Sequence, residues 1–235
     1  MADLNRCSVK YFILMLIFMP FWSGCVRSTM LDANAKKLDL TKRSIALMRV
    51  KVSNEYKPEY QPFLRTAMLM TKGGYADFKI KSSALLVKEE KKYNEYLVTV
   101  DVPPGKYLME SMVGEVMTLV PPIDATSVMI PCVPFELKPN EIVYLGKIEG
   151  RIHKRLNDKE LRAGIVIPLV DQMVAGFSTG TYDISVFDNY SADIPLFIQK
   201  YPILKNYTIK KAVPHTYKQP KTVADIKNFK KLYFK

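Results

Sequence analysis

The sequence contains few residues of the types that build metal sites and catalytic centres. Its 235 residues include two histidines, His153 and His215, and three cysteines, Cys7, Cys25 and Cys132. Motifs such as G-x-S-x-G, H-E-x-x-H, the P-loop and paired zinc cysteines do not occur in it. A joint role for the two histidines requires the fold to bring a strand residue and a proline-flanked loop residue together. We therefore predict a non-enzymatic protein without a metal or other cofactor.

The acidic residues do not form a recognisable calcium loop either. Asp183, Asp188 and Asp193 recur every five residues, whereas a calcium loop has closer ligand spacing and a turn glycine. We expect Asp183 to lie on a strand and Asp193 to cap a helix. We therefore predict that these three aspartates have structural roles.

No apolar run in the sequence reaches the length of about 20 residues that a membrane-spanning helix needs. The longest candidate covers residues 11–22. It follows the basic residues Arg6 and Lys10 and ends at the small residues Ser23 and Gly24. A charged start, a short apolar segment and a small-residue exit are the parts of a secretory signal peptide. Residues 1–24 are therefore predicted to be a signal peptide.

The letters WSGC, residues 22–25, resemble the lipobox of bacterial lipoproteins, with Trp22 in place of the usual leucine. The resemblance implies cleavage after Gly24, a diacylglycerol on Cys25 and N-acylation. Two or more acyl chains anchor a protein stably. Val26, instead of an aspartate, follows the cysteine, which implies the periplasmic face of the outer membrane. The alternative is an incidental cysteine at the end of a cleaved peptide.

After cleavage, Cys132 is the only cysteine that carries no lipid, so the mature chain forms no internal disulfide. In the segment TSVMIPCVPFEL, Val128 and Ile130 are expected to share a strand face with Cys132. An oxidising periplasm tolerates a lone thiol best when it is buried. Cys132 is therefore predicted to lie in the core.

The chain divides by composition into four parts. Residues 1–24 are the signal peptide, and residues 25–42 are a lipidated N-terminus and polar tether, with a loose N-terminal strand or helix as the alternative. Residues 43–187 form a β-sandwich domain. Residues 188–235 form a helical, basic C-terminal extension.

Apolar residues alternate with polar ones through most of residues 43–187, which is typical of half-buried strands. Turn signals at Pro104-Gly105 and Pro139-Asn140 separate the runs. Short strands without intervening helices predict an antiparallel β-sandwich. The apolar members of the three clearest runs are Ala46, Met48, Val50 and Val52; Tyr96, Val98, Val100 and Val102; and Ile142, Tyr144, Ile148 and Ile152. Each set is expected to face one way.

The phrases VPPGKYLM and ELKPNEIVYLGKI are similar to hairpins of uncharacterised envelope lipoproteins from bacteria. Those lipoproteins carry an immunoglobulin-like or prealbumin-like β-sandwich. The resemblance covers about 50 residues of the chain. It implies that fold and no activity, because sandwiches host many functions.

Two helices are predicted in the C-terminal extension. In the first, Asp193 is expected as the cap, Pro195 is tolerated early and Pro202 ends the helix. In the second, Thr222 and Asp225 have the spacing of a capping box. The apolar stripe of the second helix comprises Val223, Ile226, Phe229 and Tyr233.

Basic charge is concentrated near the C-terminus. Residues 200–235 contain ten lysines and one acid, so they carry +9 of the chain's formal charge of +12. Removal of the signal peptide lowers the total to +11, because residues 1–24 contain two basic residues and one acid. Such a segment attracts anionic partners. The predicted contact residues are Lys210, Lys211, Lys218, Lys221, Lys227, Lys230 and Lys231.

Export makes nucleic acid an unsuitable partner for this basic segment. The remaining candidates are anionic lipid, peptidoglycan and an envelope protein; alternatively, the lysines are only a solvated surface. We predict a membrane-anchored lipoprotein that binds or scaffolds a partner without catalysis. The alternative is a periplasmic hydrolase or a small-ligand-binding lipoprotein whose site no sequence motif reveals.

Overall fold

The computed structural model describes residues 29–86, 92–119, 122–165 and 170–234. Strands are the commonest secondary structure among these residues. The strands are β1 (Ser44–Asn54), β2 (Phe63–Thr71), β3 (Gly74–Lys79), β4 (Leu85–Leu86), β5 (Asn94–Val102), β6 (Gly105–Leu119), β7 (Pro122–Met129), β8 (Val133–Leu137), β9 (Ile142–Lys154), β10 (Gly180–Phe187) and β11 (Ile209–Lys211). The helices are α1 (Val170–Val174), α2 (Tyr190–Lys200) and α3 (Val223–Tyr233), with 3-10 turns at Ser82–Ala84 and Pro202–Asn206.

The strands form two sheets that face each other across an apolar core, so the prediction of a mainly β, sandwich-like fold is confirmed. The first sheet has the order β10-β9-β1-β5-β4, with β11 also paired to β9. The second has the order β3-β2-β6-β7, with β8 also paired to β6. The apolar residues predicted on one face of β1 and of β5 all lie in the core between the sheets.

The strand directions depart from the antiparallel prediction in the first sheet. There β9 runs parallel to β1, and β11 runs parallel to β9. The second sheet is antiparallel throughout its described pairs. The difference arises because β9 enters the first sheet from β8, which belongs to the second sheet. The turn between them contains Asn140, whose φ of 62° is the left-handed conformation that the Pro139-Asn140 signal predicts.

A β-bulge in β9 overturns the prediction that its four apolar residues share a face. Leu47 of β1 lies opposite Tyr144, but Arg49 lies opposite Lys147, so β9 has one extra residue between these pairs. Gly146, with a φ of 109°, accommodates the irregularity. Ile142 and Tyr144 therefore face outward, beneath α2, while Ile148 and Ile152 face the core between the sheets.

The first sheet is covered on its outer face by a second apolar layer. Phe197 of α2, Tyr201 and Leu204 pack there with residues of β1, β5 and β9. Helix α2 therefore belongs to the folded body. Its N-cap is Asn189 and not Asp193, which lies within the first helical turn and is buried.

Cys132 is buried, as predicted, with only 1% of its surface exposed. The predicted reason for this burial, a shared inward strand face with Val128 and Ile130, is wrong. Val128 and Ile130 are only partly buried, while Met129 between them is fully buried. The strand ends at Met129, and Cys132 lies in the turn before β8 with a φ of 47°. Burial raises the pKa of the thiol to about 12, with a smaller contribution from the charge of Glu110.

Several chain segments meet at one end of the sandwich, which we call the basal end. It comprises the starts of β1, β6 and β9 and the ends of β5 and β8. The opposite end, called the distal end, comprises the ends of β1, β6 and β9. At the basal end, Thr29 exchanges backbone hydrogen bonds of 3.2 and 2.8 Å with Asp101. The next two residues, Met30 and Leu31, are buried. The segment predicted as a tether thus contacts the sandwich from Thr29 onward.

Candidate functional site

The C-terminal helix α3 begins at the capping box that the sequence predicts. The Thr222 side chain accepts a hydrogen bond of 3.2 Å from the Asp225 backbone N–H. The Asp225 carboxylate accepts bonds from the backbone N–H groups of Thr222, at 2.8 Å, and Lys221, at 3.0 Å. Its hydrogen bond with the Thr222 side chain, then those with the two backbone groups, lower the pKa of Asp225. The helix therefore has a defined start on the protein surface.

Surface contacts, and no buried residue, connect α3 to the body. The Lys230 ammonium pairs with Glu110 on β6 and lies 3.4 Å from the hydroxyl of Tyr75 on β3. The Tyr233 hydroxyl donates a hydrogen bond of 2.7 Å to the carbonyl oxygen of Phe135 on β8. Helix α3 therefore lies across the second sheet.

The apolar stripe of α3 is only partly covered by the sandwich. Of its residues, Val223 is 59% exposed, while Ile226, Phe229 and Tyr233 are half-buried; Leu232, beside the stripe, is 70% exposed. An amphipathic helix whose apolar side chains remain in water has surface available for a further contact.

The seven predicted lysines do not form one cluster. Lys210 and Lys211 lie on β11, where they pair with Glu141 at 2.7 Å and with Asp188 at 2.6 Å. Lys218 and Lys221 lie in the segment that crosses β10, and Lys221 is 3.6 Å from Asp183. The remaining three, Lys227, Lys230 and Lys231, lie on α3.

The lysines of α3 differ in their availability. Lys230 is held by Glu110, and this hydrogen bond and charge outweigh burial and raise the pKa of Lys230. Lys227 and Lys231 are exposed and have no hydrogen-bond or ion-pair partner among the described residues. These two ammonium groups lie four residues apart on one helix and are accessible charges of the predicted site. Cys25, the predicted lipid site, lies outside the described residues.

A second charged cluster, which the sequence analysis missed, lies buried between the first sheet and α2. The Arg49 guanidinium on β1 donates to Glu95 on β5 at 2.7 Å and to Asp193 on α2 at 2.8 Å. Lys147 on β9 is 3.4 Å from the second oxygen of Glu95. The exposed fractions of the side chains are 11% for Arg49, 2% for Glu95 and none for Asp193.

The buried carboxylate of Asp193 also accepts hydrogen bonds from uncharged side chains. Asp193 accepts hydrogen bonds from the Tyr144 hydroxyl at 2.5 Å and from the Asn189 side chain at 2.7 Å. Burial, followed by the bond to Asp193, raises the pKa of Tyr144, so the hydroxyl remains a donor. Burial alone acts to raise the pKa of Glu95, but the hydrogen bond and charge of Arg49 outweigh it and the pKa is lowered. This cluster holds α2 on the sheet.

The sequence contains one signal for this cluster. Ile45 and Leu47 share the face of β1 with Arg49, and both are buried. Large apolar residues on the polar face of a strand indicate that another layer covers that face.

The residues considered for catalysis or metal binding are not brought together. His153 lies at the end of β9, whereas His215 is exposed in the segment that follows β11. Asp183, Asp188 and Asp193 lie on β10, before α2 and inside α2. Among the described residues, no group of three histidine, cysteine or acidic side chains is placed to hold a metal ion.

A surface cleft of about 350 Å³ lies beside His153 and Lys221. Its acidic residue, Glu160, accepts hydrogen bonds from the Leu156 backbone N–H and the Asn157 side chain. Both bonds are made within the loop of residues 156–160, so the Glu160 carboxylate stabilises that loop. The cleft therefore offers no argument for the hydrolase alternative.

Comparisons with protein-family models, with curated proteins and with solved structures gave no match for this chain. Within the part of the chain that the structure describes, no helix is both long and apolar enough to cross a bilayer. Functional inference therefore rests on the residues themselves.

Proposed function

We propose that the protein is a lipoprotein of the bacterial envelope, anchored through Cys25 in the outer membrane and facing the periplasm. Its body acts as a non-enzymatic binding or scaffolding module. Helix α3, together with the basic segment before it, contacts anionic components of the envelope. The lipid anchor rests on the resemblance of residues 22–25 to a lipobox.

We also propose that the sandwich is of the immunoglobulin-like or prealbumin-like type. The support is the resemblance of VPPGKYLM and ELKPNEIVYLGKI to segments of such lipoproteins; the second segment contains the left-handed Asn140, in the turn that connects β8 of one sheet to β9 of the other. The parallel pair β1–β9 is a departure from a purely antiparallel arrangement.

The exposure of α3 is the single observation that carries the binding proposal. The helix buries no residue, displays Val223 and Leu232 to water and presents Lys227 and Lys231 without partners among the described residues. Near an anionic membrane surface each lysine contributes about 1 kcal/mol, an attraction that moderate salt screens within about 10 Å. Apolar side chains beside such lysines are the features of a helix that lies in a membrane interface.

The experiment uses the soluble chain that lacks residues 1–25, so that acyl anchoring does not mask binding through α3. Its co-sedimentation with vesicles containing phosphatidylglycerol and with purified peptidoglycan is compared with that of the double variant Lys227→Glu/Lys231→Glu. Loss of the two lysines removes about 2 kcal/mol of attraction and the introduced carboxylates add repulsion, so we expect the variant to bind anionic vesicles at least about thirtyfold more weakly.

A matched control reverses two exposed lysines at the distal side of the body, outside the C-terminal segment, as in Lys92→Glu/Lys159→Glu. This control changes the net charge by the same amount, and we expect it to retain most of the binding. The proposal is overturned if the unaltered chain binds neither vesicles nor peptidoglycan at low salt. It is also overturned if both double variants lose binding equally, because the effect is then one of total charge.

A further inference from the structure

The position of Thr29 limits the distance between a lipid anchor at Cys25 and the folded body. Four residue steps connect Cys25 to Thr29, and four residues span at most about 14 Å even when fully extended. Thr29 is fixed at the basal end by its two hydrogen bonds with Asp101. An acylated Cys25 therefore holds the basal end within about 14 Å of the bilayer surface.

Further contacts make the basal end a continuous surface around this attachment point. Arg43 pairs with the Asp101 carboxylate at 2.5 Å. The Ser44 hydroxyl donates to the carbonyl oxygen of Lys138 at 2.7 Å. The end of α3 approaches the same region, because Tyr233 binds Phe135, which lies two residues from the end of β8.

Charge differs between the two ends of the sandwich. The basal segments, residues 32–43, 101–106, 136–141 and 205–210, contain eight basic and five acidic residues, a formal charge of +3. The described distal segments, residues 54–62, 92–94, 115–119, 122–124, 152–162 and 170–174, contain six basic and seven acidic residues, a formal charge of −1.

Several basic side chains of the basal end are exposed to solvent, whereas some of its acidic side chains are held in ion pairs. Lys42, Lys106 and Lys138 are exposed. Two of the five basal acids are in ion pairs, Asp101 with Arg43 and Glu141 with Lys210. The surface that the anchor holds near the bilayer is therefore also the more basic end.

We propose that the basal end is the membrane-facing surface of the anchored protein, and that its exposed lysines bind the headgroups of anionic phospholipids. This inference rests on the proposed function, because it requires the lipid on Cys25. It adds an orientation, since β9 extends away from the bilayer and its 13 residues place the distal end about 40 Å farther out.

The test places a fluorophore at either end of the mature, acylated protein in vesicles. Glu136→Cys labels the basal end, and Leu156→Cys labels a site beyond β9 that is 84% exposed. Cys132 is buried, and the chain without an introduced cysteine provides the background labelling. Nitroxides attached to lipid headgroups quench only at short range. We expect strong quenching at Glu136→Cys and none at Leu156→Cys; equal quenching, or stronger quenching at the distal site, overturns the orientation.

A second comparison tests the headgroup contact. On phosphatidylglycerol vesicles, Lys106→Glu/Lys138→Glu is expected to reduce basal quenching to the level seen on phosphatidylcholine vesicles. If basal quenching is the same for both lipids and both proteins, chain length alone holds the basal end near the bilayer, and the headgroup contact is overturned.

Mass spectrometry of the vesicle-bound protein separates this inference from the proposed function. An unmodified Cys25 overturns both, because no anchor then restrains the basal end. An acylated Cys25 with equal quenching at the two sites overturns only the orientation. Binding through α3 is measured independently, on the soluble chain.

Discussion

Helices α2 and α3 have the same length, eleven residues, and both come from the segment that the sequence indicates as a helical extension. Their surroundings differ. Helix α2 buries Asp193 and Phe197 completely, and Asp193 takes part in a buried ion pair. Helix α3 buries nothing and is held through Lys230 and Tyr233 at the surface.

The difference between the two helices is a difference between buried and solvent-exposed charges. The charges under α2 are desolvated, so each needs its partner, and removing one partner is costly. The charges of α3 are in water, where an ion pair contributes little to stability and the lysines remain available to a partner. We infer that α2 maintains the fold and that α3 serves recognition.

The largest expected effect comes from breaking the cluster under α2. Asp193→Ala leaves Arg49 without one of its two carboxylates and the Tyr144 hydroxyl without its acceptor. We expect the free energy of unfolding in urea to fall by about 3–5 kcal/mol. The control is Asp183→Ala, which removes a carboxylate whose partners Arg151 and Lys221 lie at the surface, and it is expected to have little effect. Equal losses in the two variants would contradict a special role for the buried pair.

The second prediction concerns acid stability. Because the pKa of Glu95 in the folded protein lies below its ordinary value of 4.5, its stabilisation is present above that value and is lost as pH falls through the folded pKa. Glu95→Gln is expected to cost about 3 kcal/mol at pH 7. The difference between the variant and the unaltered protein should shrink toward low pH in urea titrations. A difference that is constant with pH would contradict the ion pair.

The third prediction is a local effect at α3. Thr222→Ala removes the side-chain half of the capping box and should destabilise the helix by about 1 kcal/mol. Amide hydrogen exchange should accelerate in α3 and remain unchanged in β1 and β5, because α3 opens without unfolding the sandwich. Faster exchange in β1 would show that α3 is a cooperative part of the fold.

The smallest effect on stability is expected from the residues proposed for binding. Lys227→Glu/Lys231→Glu should change the free energy of unfolding by less than about 0.5 kcal/mol, because both side chains are exposed and unpartnered within the described residues. The measurement is urea unfolding of the same protein used for vesicle binding. A loss above about 1 kcal/mol would mean that these lysines stabilise the body.

Local features of this protein were predictable from sequence. The faces of β1 and β5 follow from alternation, and the start of α3 follows from Thr222 and Asp225, because each of these features depends on residues a few positions apart. The same alternation gave a wrong prediction for β9. There the bulge at Gly146 adds one residue, so the apolar residues before it and after it face opposite sides of the sheet.

Features that depend on distant chain segments were not predictable in this way. The parallel pairing of β1 with β9 depends on the route of the chain between the two sheets. The buried cluster depends on α2, because Asp193 lies 144 positions after its partner Arg49. On its own strand Arg49 has the alternation of a solvent-facing residue, and only the covering helix makes it a core residue.

Mass spectrometry of the mature N-terminal peptide determines whether Cys25 anchors the protein in the membrane. We expect a chain that begins at Cys25 and carries a diacylglyceryl thioether and an N-acyl group. The variant Cys25→Ser should release the protein from membranes, which fractionation detects. A mature chain that starts elsewhere, or an unmodified Cys25, would rule out the proposed lipid anchor.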